Sequence, residues 1–190
     1  MDIAVIEQTA ETSTNNNQEA EPAEPATRQE KTKAEVKQER LLAKSKEAEE
    51  KRLHPEWNAS EPDAMENGNI ALAIDMLLAM QEMPAGELAV AQEVIKTPWN
   101  FYGMPVLFTG VIAIAEDYPP DSDIGKAGVA SDIVMESEDG TIIEFFSMVP
   151  SGALQAGDAV SITGYPVGRT EVENAMGGSY THLIVVTNSL

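Results

Sequence analysis

The sequence predicts a mainly β domain with helical additions: a small closed barrel of five strands, preceded by two helices and carried behind a disordered and helical N-terminal extension. Short alternating apolar runs recur between residues 105 and 188, and glycine-bearing turns separate them. Composition also changes abruptly near Leu53, from Lys, Glu and Ala to the apolar and β-branched residues of a core. A length of 190 residues with 43 % hydrophobic content provides for one modest core and not for two large domains.

Residues 1–26 combine Thr, Asn, Gln, Glu, Ala and two Glu-Pro steps, with too little apolar surface to offset the entropy of ordering; they read as a disordered acidic tail. Residues 27–53 are rich in helix formers, with supporting pairs such as Lys31 with Glu35 and Glu47 with Lys51. Val36, Leu41, Leu42 and Leu53 keep no heptad, which favours a solvated spacer helix over a coiled coil. After the His54-Pro55 break, residues 60–190 form the globular part. Ser60-Glu61-Pro62-Asp63 has the form of a helix start, with a Ser cap and an acid three residues on, and a short turn or helix is expected after it. Residues 70–83 are the most apolar helix candidate, with Ile70, Ile74, Leu77 and Leu78 on one face. Pro84-Ala85-Gly86 ends it, and a second helix is expected over 87–96, with Leu88, Ala91, Val94 and Ile95 inward, stopped by Thr97-Pro98.

Strands are expected at 106–116, with a bend at Gly110, and at 131–136 and 141–146. The last two flank Ser137-Glu138-Asp139-Gly140, whose Asp-Gly step suits a tight hairpin. Gly157-Asp158 launches a fourth strand at 159–164, and 181–187 form the fifth. Between those two, Gly164-Tyr165-Pro166-Val167-Gly168-Arg169 and Asn174-Ala175-Met176-Gly177-Gly178 read as a loop.

Charge restricts the use of such a domain. Up to Arg52 there are twelve acids and nine bases, net −3, so the remainder carries −17 of the total −20, with Lys96, Lys126 and Arg169 as its cations. A surface that grips a phosphate backbone needs several cations, because affinity comes largely from the counterions they displace. Cysteine is absent, which removes disulfides, thiolate metal sites and thiol catalysis. Read from Met1, the chain lacks the basic start and apolar stretch of a secretory signal, and its longest apolar run is too short to span a bilayer. A cytoplasmic location is expected on that reading; an export signal at a different start would place the protein outside the cell or in the envelope.

Gly157-Asp158-Ala159-Val160-Ser161-Ile162-Thr163-Gly164 resembles the fourth strand of OB-fold domains, where a Gly-Asp turn leads an alternating strand to a closing glycine. Pro105-Val106-Leu107-Phe108-Thr109-Gly110-Val111-Ile112 is similar to the opening strand of that fold. With the lead-in Ile95-Lys96-Thr97-Pro98-Trp99-Asn100-Phe101-Tyr102-Gly103, residues 87–188 resemble the OB-like modules of small, largely uncharacterised Gram-positive envelope proteins, including the tRNA-anticodon-like group. The resemblance implies a binding barrel. Members usually carry an export signal and a lipid-modified cysteine, and this sequence shows neither. OB domains that bind single strands present aromatic platforms and cations on the second and third strands, where this chain has Asp132, Glu136 and Glu144.

The candidate ligand-binding residues are aromatic or cationic: Trp99, Phe101 and Tyr102 in the lead-in, Tyr118 after the first strand, and Tyr165 and Arg169 before the last. The lead-in rings serve either as a stacking platform or as apolar anchors that seat the helices. The acidic loop at 116–125 has carboxylates near a glycine, without the spacing of an EF-hand, so a solvated loop is favoured over a Ca²⁺ site. His54 and His182 are the two histidines, and no nucleophile elbow, phosphate loop or His-acid-His metal spacing is present. The sequence therefore predicts no catalytic residue, metal site or cofactor. The expected function is a non-catalytic binding or adaptor module that recognises a protein or cell-envelope component. The alternative is a single-stranded nucleic-acid-binding OB protein, with the basic residues of the 28–52 helix supplying cations.

Overall fold

A computed structural model of the protein describes residues 33–80, 82–174 and 177–190. The predicted tail at 1–26 and the start of the predicted spacer helix lie outside the described residues. Helix α1 (Lys33–Leu53) has Glu35 in its first turn and Lys51 and Arg52 in its last, the charge order that suits the helix dipole. None of its residues is buried. At its end Arg52 Nη2 donates to the Asp75 carbonyl at 3.3 Å.

Of the short turn or helix expected after Ser60, the structure forms the turn, which begins at Asp63. Met65 N–H donates to Asp63 Oδ1 and Asn67 N–H to the Asp63 carbonyl, both at 2.9 Å, while the Ser60 hydroxyl is engaged by Asn58 Oδ1. Helix α2 (Asn69–Ala79) is shorter than predicted, because Met80 takes an extended conformation and carries the chain back toward the sheet. It buries Asn69, Ala73, Ile74, Met76 and Leu77, whereas Leu78, expected to face inward, is 61 % exposed. A stripe centred on Ala73 and Leu77 points Leu78 to the opposite side of the helix.

The helix predicted over 87–96 divides in two. Glu87–Leu88 form strand β1, parallel to the start of β2 (Val106–Asp117), and helix α3 is confined to Ala91–Lys96. The N–H groups of Glu87 and Ala89 donate to the Pro105 and Leu107 carbonyls, so edge pairing takes the place of a first helical turn. Gly86 permits this approach, since a Cβ there would lie 2.7 Å from Leu107 N and from Thr163 Cγ2. A 3₁₀ turn, Pro98–Asn100, leads on to β2.

The remaining elements are α4 (Asp123–Lys126), β3 (Ser131–Ser137), β4 (Ile142–Ser147), β5 (Ala159–Glu173) and β6 (Ser179–Thr187). All the strands belong to one six-stranded sheet in a mixed α/β fold. Antiparallel pairing joins β2 to β3 and β3 to β4; β4 pairs in parallel with β6, β6 antiparallel with β5, and β5 antiparallel with β2. The ladder of pairings therefore returns to the strand at which it began. The predicted hairpin is present: Gly140 has φ +79° at the turn between β3 and β4.

The largest departure from the sequence reading is β5. The expected strand at 159–164 continues to Glu173 through residues read as a loop. Its first part pairs with β2 and its second with β6, with a register shift between Pro166 and Gly168. Pro166 lacks a ladder donor and Gly168 sits at φ +148°, so residues that resemble loop punctuation form a bend within a strand. The actual turn lies at Asn174, whose Oδ1 accepts from Gly178 N–H at 3.0 Å.

Two apolar clusters occupy opposite faces of the sheet. The first joins Val106, Phe108, Ile133, Met135, Ile143, Phe145, Leu183 and Val185 to Ala91 and Val94 of α3. The second joins Ile184, Val186, Tyr165 and Val167 to Ala73, Ile74, Met76 and Leu77 of α2. Alternation along β6 sends successive residues to the two clusters.

A buried amide network fixes α2 to the sheet. Asn67 Nδ2 donates to the Val167 carbonyl at 2.8 Å and Asn69 Nδ2 to the same oxygen at 3.3 Å. Asn69 also donates to the Asn58 carbonyl and accepts from Asn58 N–H. Beside them, Ala64 N–H bonds the Arg169 carbonyl and Arg169 N–H the Pro62 carbonyl, both at 2.9 Å. Gly168 is required at this junction, because a Cβ would lie 2.8 Å from the Pro62 oxygen and 2.9 Å from Asn67 Nδ2. Asn69→Ala removes the side-chain partners of the part-buried Asn58 N–H and carbonyl and one of two donors to the Val167 carbonyl, and is expected to cost about 2–3 kcal/mol. Urea unfolding followed by tryptophan fluorescence measures this; an unchanged midpoint would show that the network does not secure the lead-in.

Candidate functional site

The sheet face that carries the second cluster is only partly covered by α2. On β2, β3 and β4 the same face continues past the helix and brings carboxylates together. Glu116 lies opposite Asp132, Val111 opposite Glu136, and Val134 opposite Glu144 in the strand ladders. Cross-strand partners share a face, so four acids from three strands occupy one surface.

Asp132 is the central group. Tyr118 hydroxyl donates weakly to its Oδ2 at 3.4 Å, and its Oδ1 is buried with no hydrogen-bond partner. Burial, followed by the charges of Glu144 and Glu116, raises its pKa from the ordinary 3.8 to about 7, against the opposing effect of the Tyr118 bond. Burial and the neighbouring Asp132 and Glu116 charges raise Tyr118 as well. Glu144 is held from the other side, where His182 Nδ1–H donates to its Oε2 at 2.7 Å. Both side chains of that pair are largely buried, at 11 % and 14 % exposure. Parallel pairing places Ile142 beside His182 and Glu144 beside Ile184, which sets this diagonal contact.

The six residues singled out from the sequence do not form one surface. Trp99 is 39 % exposed on the 3₁₀ turn, whereas Phe101 packs against the first cluster. The Tyr102 ring tilts against Trp57, with centroids 6.0 Å apart. Its hydroxyl is buried without a well-formed hydrogen bond, and burial raises its pKa despite the adjacent Asn69 and Asn67 amides. Tyr165 is buried in the second cluster with its hydroxyl 3.7 Å from Met80 Sδ. Arg169 Nη1 donates to the Ile95 carbonyl at 3.0 Å and the Lys96 carbonyl at 3.4 Å, so its guanidinium caps the end of α3. Tyr118 alone among the six touches the acidic face.

Polar side chains of the 116–125 loop serve local structure. Asp117 Oδ1 accepts from Ser151 N–H at 2.7 Å, and Ser122 Oγ accepts from Gly125 N–H at 3.0 Å as the cap of α4. Among the described residues no group of three or more His, Asp or Glu side chains is placed to hold a metal ion. No described helix is long and apolar enough to cross a membrane.

Asp132, Glu136 and Glu144 are visible in the sequence as acids on the second and third strands, and nothing in the sequence joins Glu144 to His182. Alternation places the acids on one face; the contact with His182 depends on how β4 and β6 align, 38 residues apart. Comparison with protein-family models and with curated proteins finds no match for the chain.

Asp132 holds its proton more tightly when folded, so its contribution to stability falls as pH rises from about 4 to about 7. Asp132→Asn is therefore expected to raise the melting temperature at pH 8 by about 2–4 °C, corresponding to roughly 1 kcal/mol, and to change little at pH 4. Equal shifts at both pH values would contradict a charge cost. Tyr102→Phe removes a buried, poorly bonded hydroxyl and is expected to be neutral or slightly stabilising, whereas Tyr102→Ala costs about 2 kcal/mol of packing. Thermal melts of both variants check the pair.

Proposed function

We propose that the protein is a non-catalytic binding module built on an OB-like barrel, and that its open β2–β3–β4 face binds a cationic segment of a protein or cell-envelope component. The returning ladder supports the barrel, as does the parallel pairing of the third and fifth barrel strands, β4 and β6. Side chains of the first cluster would then fill the interior, with α3 closing one end. OB barrels use the face of their second and third strands for ligands, and those strands here are β3 and β4.

The observation that carries the reading is the placement of Asp132 beside Glu144, half-buried, with one oxygen of Asp132 unsatisfied. A Lys or Arg side chain brought to this face supplies the positive charge that the crowded carboxylates lack. Such a surface repels phosphate, so the acids argue against strand binding by this face.

Calorimetric titration with a Lys/Arg-rich peptide and with an oligothymidylate, both at physiological salt, separates the two functions. The peptide is expected to bind more tightly at pH 8 than at pH 6, because ionising Asp132 creates the acceptor. Combined D132N and E144Q should weaken it at least tenfold. Tight oligothymidylate binding that is lost when the α1 cations are removed would overturn the proposal in favour of nucleic acid.

A further inference from the structure

Helix α1 itself has the chemistry that the open face lacks. Lys33, Lys37, Arg40, Lys44 and Lys51 recur at spacings of four, three, four and seven residues, which places them on one side of the helix. The stripe is about 27 Å long. Glu47 interrupts it and is held by Lys51 at 4.0 Å; among the described residues Lys33, Lys37, Arg40 and Lys44 have no ion-pair partner. Leu41, 60 % exposed, and Val36, 37 % exposed, flank the cations. None of the helix's residues is buried, and among the described residues no ion pair joins its cations to the acids of the open face.

The complementary surface is the open face of the sheet. Val111 and Ile114 are 47 % and 52 % exposed there, in line with the half-buried Val134 and Ile142. Glu116, Asp132, Glu136 and Glu144 surround this apolar strip. Asp132 and Glu136 are about 13 Å apart along β3, within the range spanned by Lys33 to Lys44 along α1, about 16 Å. Apolar residues flanked by cations thus match apolar residues flanked by acids.

Resting on the reading of the open face as a cation-binding surface, we propose that its occupant is the α1 helix of a second copy of this chain. A phosphate polymer on the stripe would leave Leu41 and Val36 without a counterpart and would approach a body of net −17, the remainder after −3 is taken from −20. A second copy satisfies both the charge and the apolar contact. Each copy offers both surfaces, so the contact is head-to-tail. Two chains of net −20 repel at long range, which makes the association weak and dependent on concentration.

Sedimentation of the full chain tests this with two charge-reversed variants, K37E/R40E/K44E on the helix and E116K/E136K on the face. All five positions are exposed, so both variants are expected to melt at the wild-type temperature, which thermal melts check. The wild-type mass should rise with concentration, and each variant alone should remain monomeric. An equimolar mixture of the variants should form a 1:1 heterodimer, since one retains the native helix and the other the native face. A wild-type chain that stays monomeric at every concentration, or self-association that both variants leave unchanged, overturns the proposal. If that monomer still binds a Lys/Arg-rich peptide and loses it in E116K/E136K, self-docking fails while the cation-binding face stands. Loss of oligothymidylate binding in K37E/R40E/K44E, with a monomeric wild type, would assign the stripe to a phosphate polymer instead.

Discussion

The Val167 carbonyl is the point at which the two parts of the globular chain are joined. It lies in the bend of β5, where the register shift leaves the oxygen without an ordinary ladder partner, and two buried asparagine amides supply the donors. A buried polar group without a partner costs more than most single apolar contacts provide, so bend and network require one another. Gly168 admits the 62–64 segment against the strand, and the asparagines then set where α2 begins. Once α2 is held there, it covers Tyr165, Val167, Ile184 and Val186 and stops short of β2 and β3. The exposure of the acidic face is therefore a consequence of where the helix is anchored.

Asp132 and Asp139 show how local geometry governs the charge of a strongly acidic protein. Burial acts upward on both. At Asp139 it is outweighed by hydrogen bonds from Thr141, Ser137 and the Gln92 N–H, which bring the group down to about 2. Those bonds also tie the β3–β4 turn to the start of α3. Asp132 has one long bond from Tyr118 and two acidic neighbours, and it rises to about 7. The residue type is the same; the number of donors differs. A surplus of acids is uninformative by count, and the group in electrostatic difficulty becomes visible only through its partners.

Much of the architecture was legible from local patterns. Strands β2, β3, β4 and β6 lie where alternation placed them, and the Asp139-Gly140 turn follows from its requirement for positive φ. The structure departs from local preference where tertiary hydrogen bonds outweigh it. Glu87 and Leu88 belong to a helix-like stretch but pair with β2, and residues 165–169 carry loop signals but continue β5. Of the candidate site residues, the aromatics stood out by type, yet Tyr165 is needed by the core and Arg169 by the end of α3. His182 carried no sequence signal beyond its identity, because its partner is set by strand alignment.

By itself the sequence determined the partition of charge and the alternating strand pattern, because composition and periodicity act on each segment independently of its neighbours. Tertiary structure decided which strands pair, that the ladder returns to β2, and that Asp132, Glu144 and His182 meet. It also decided that α1 keeps its cations exposed while the sheet leaves an acidic, apolar face uncovered. These outcomes depend on groups distant in the chain competing for the same hydrogen bonds and the same buried surface, and that competition is resolved only when the whole chain is packed.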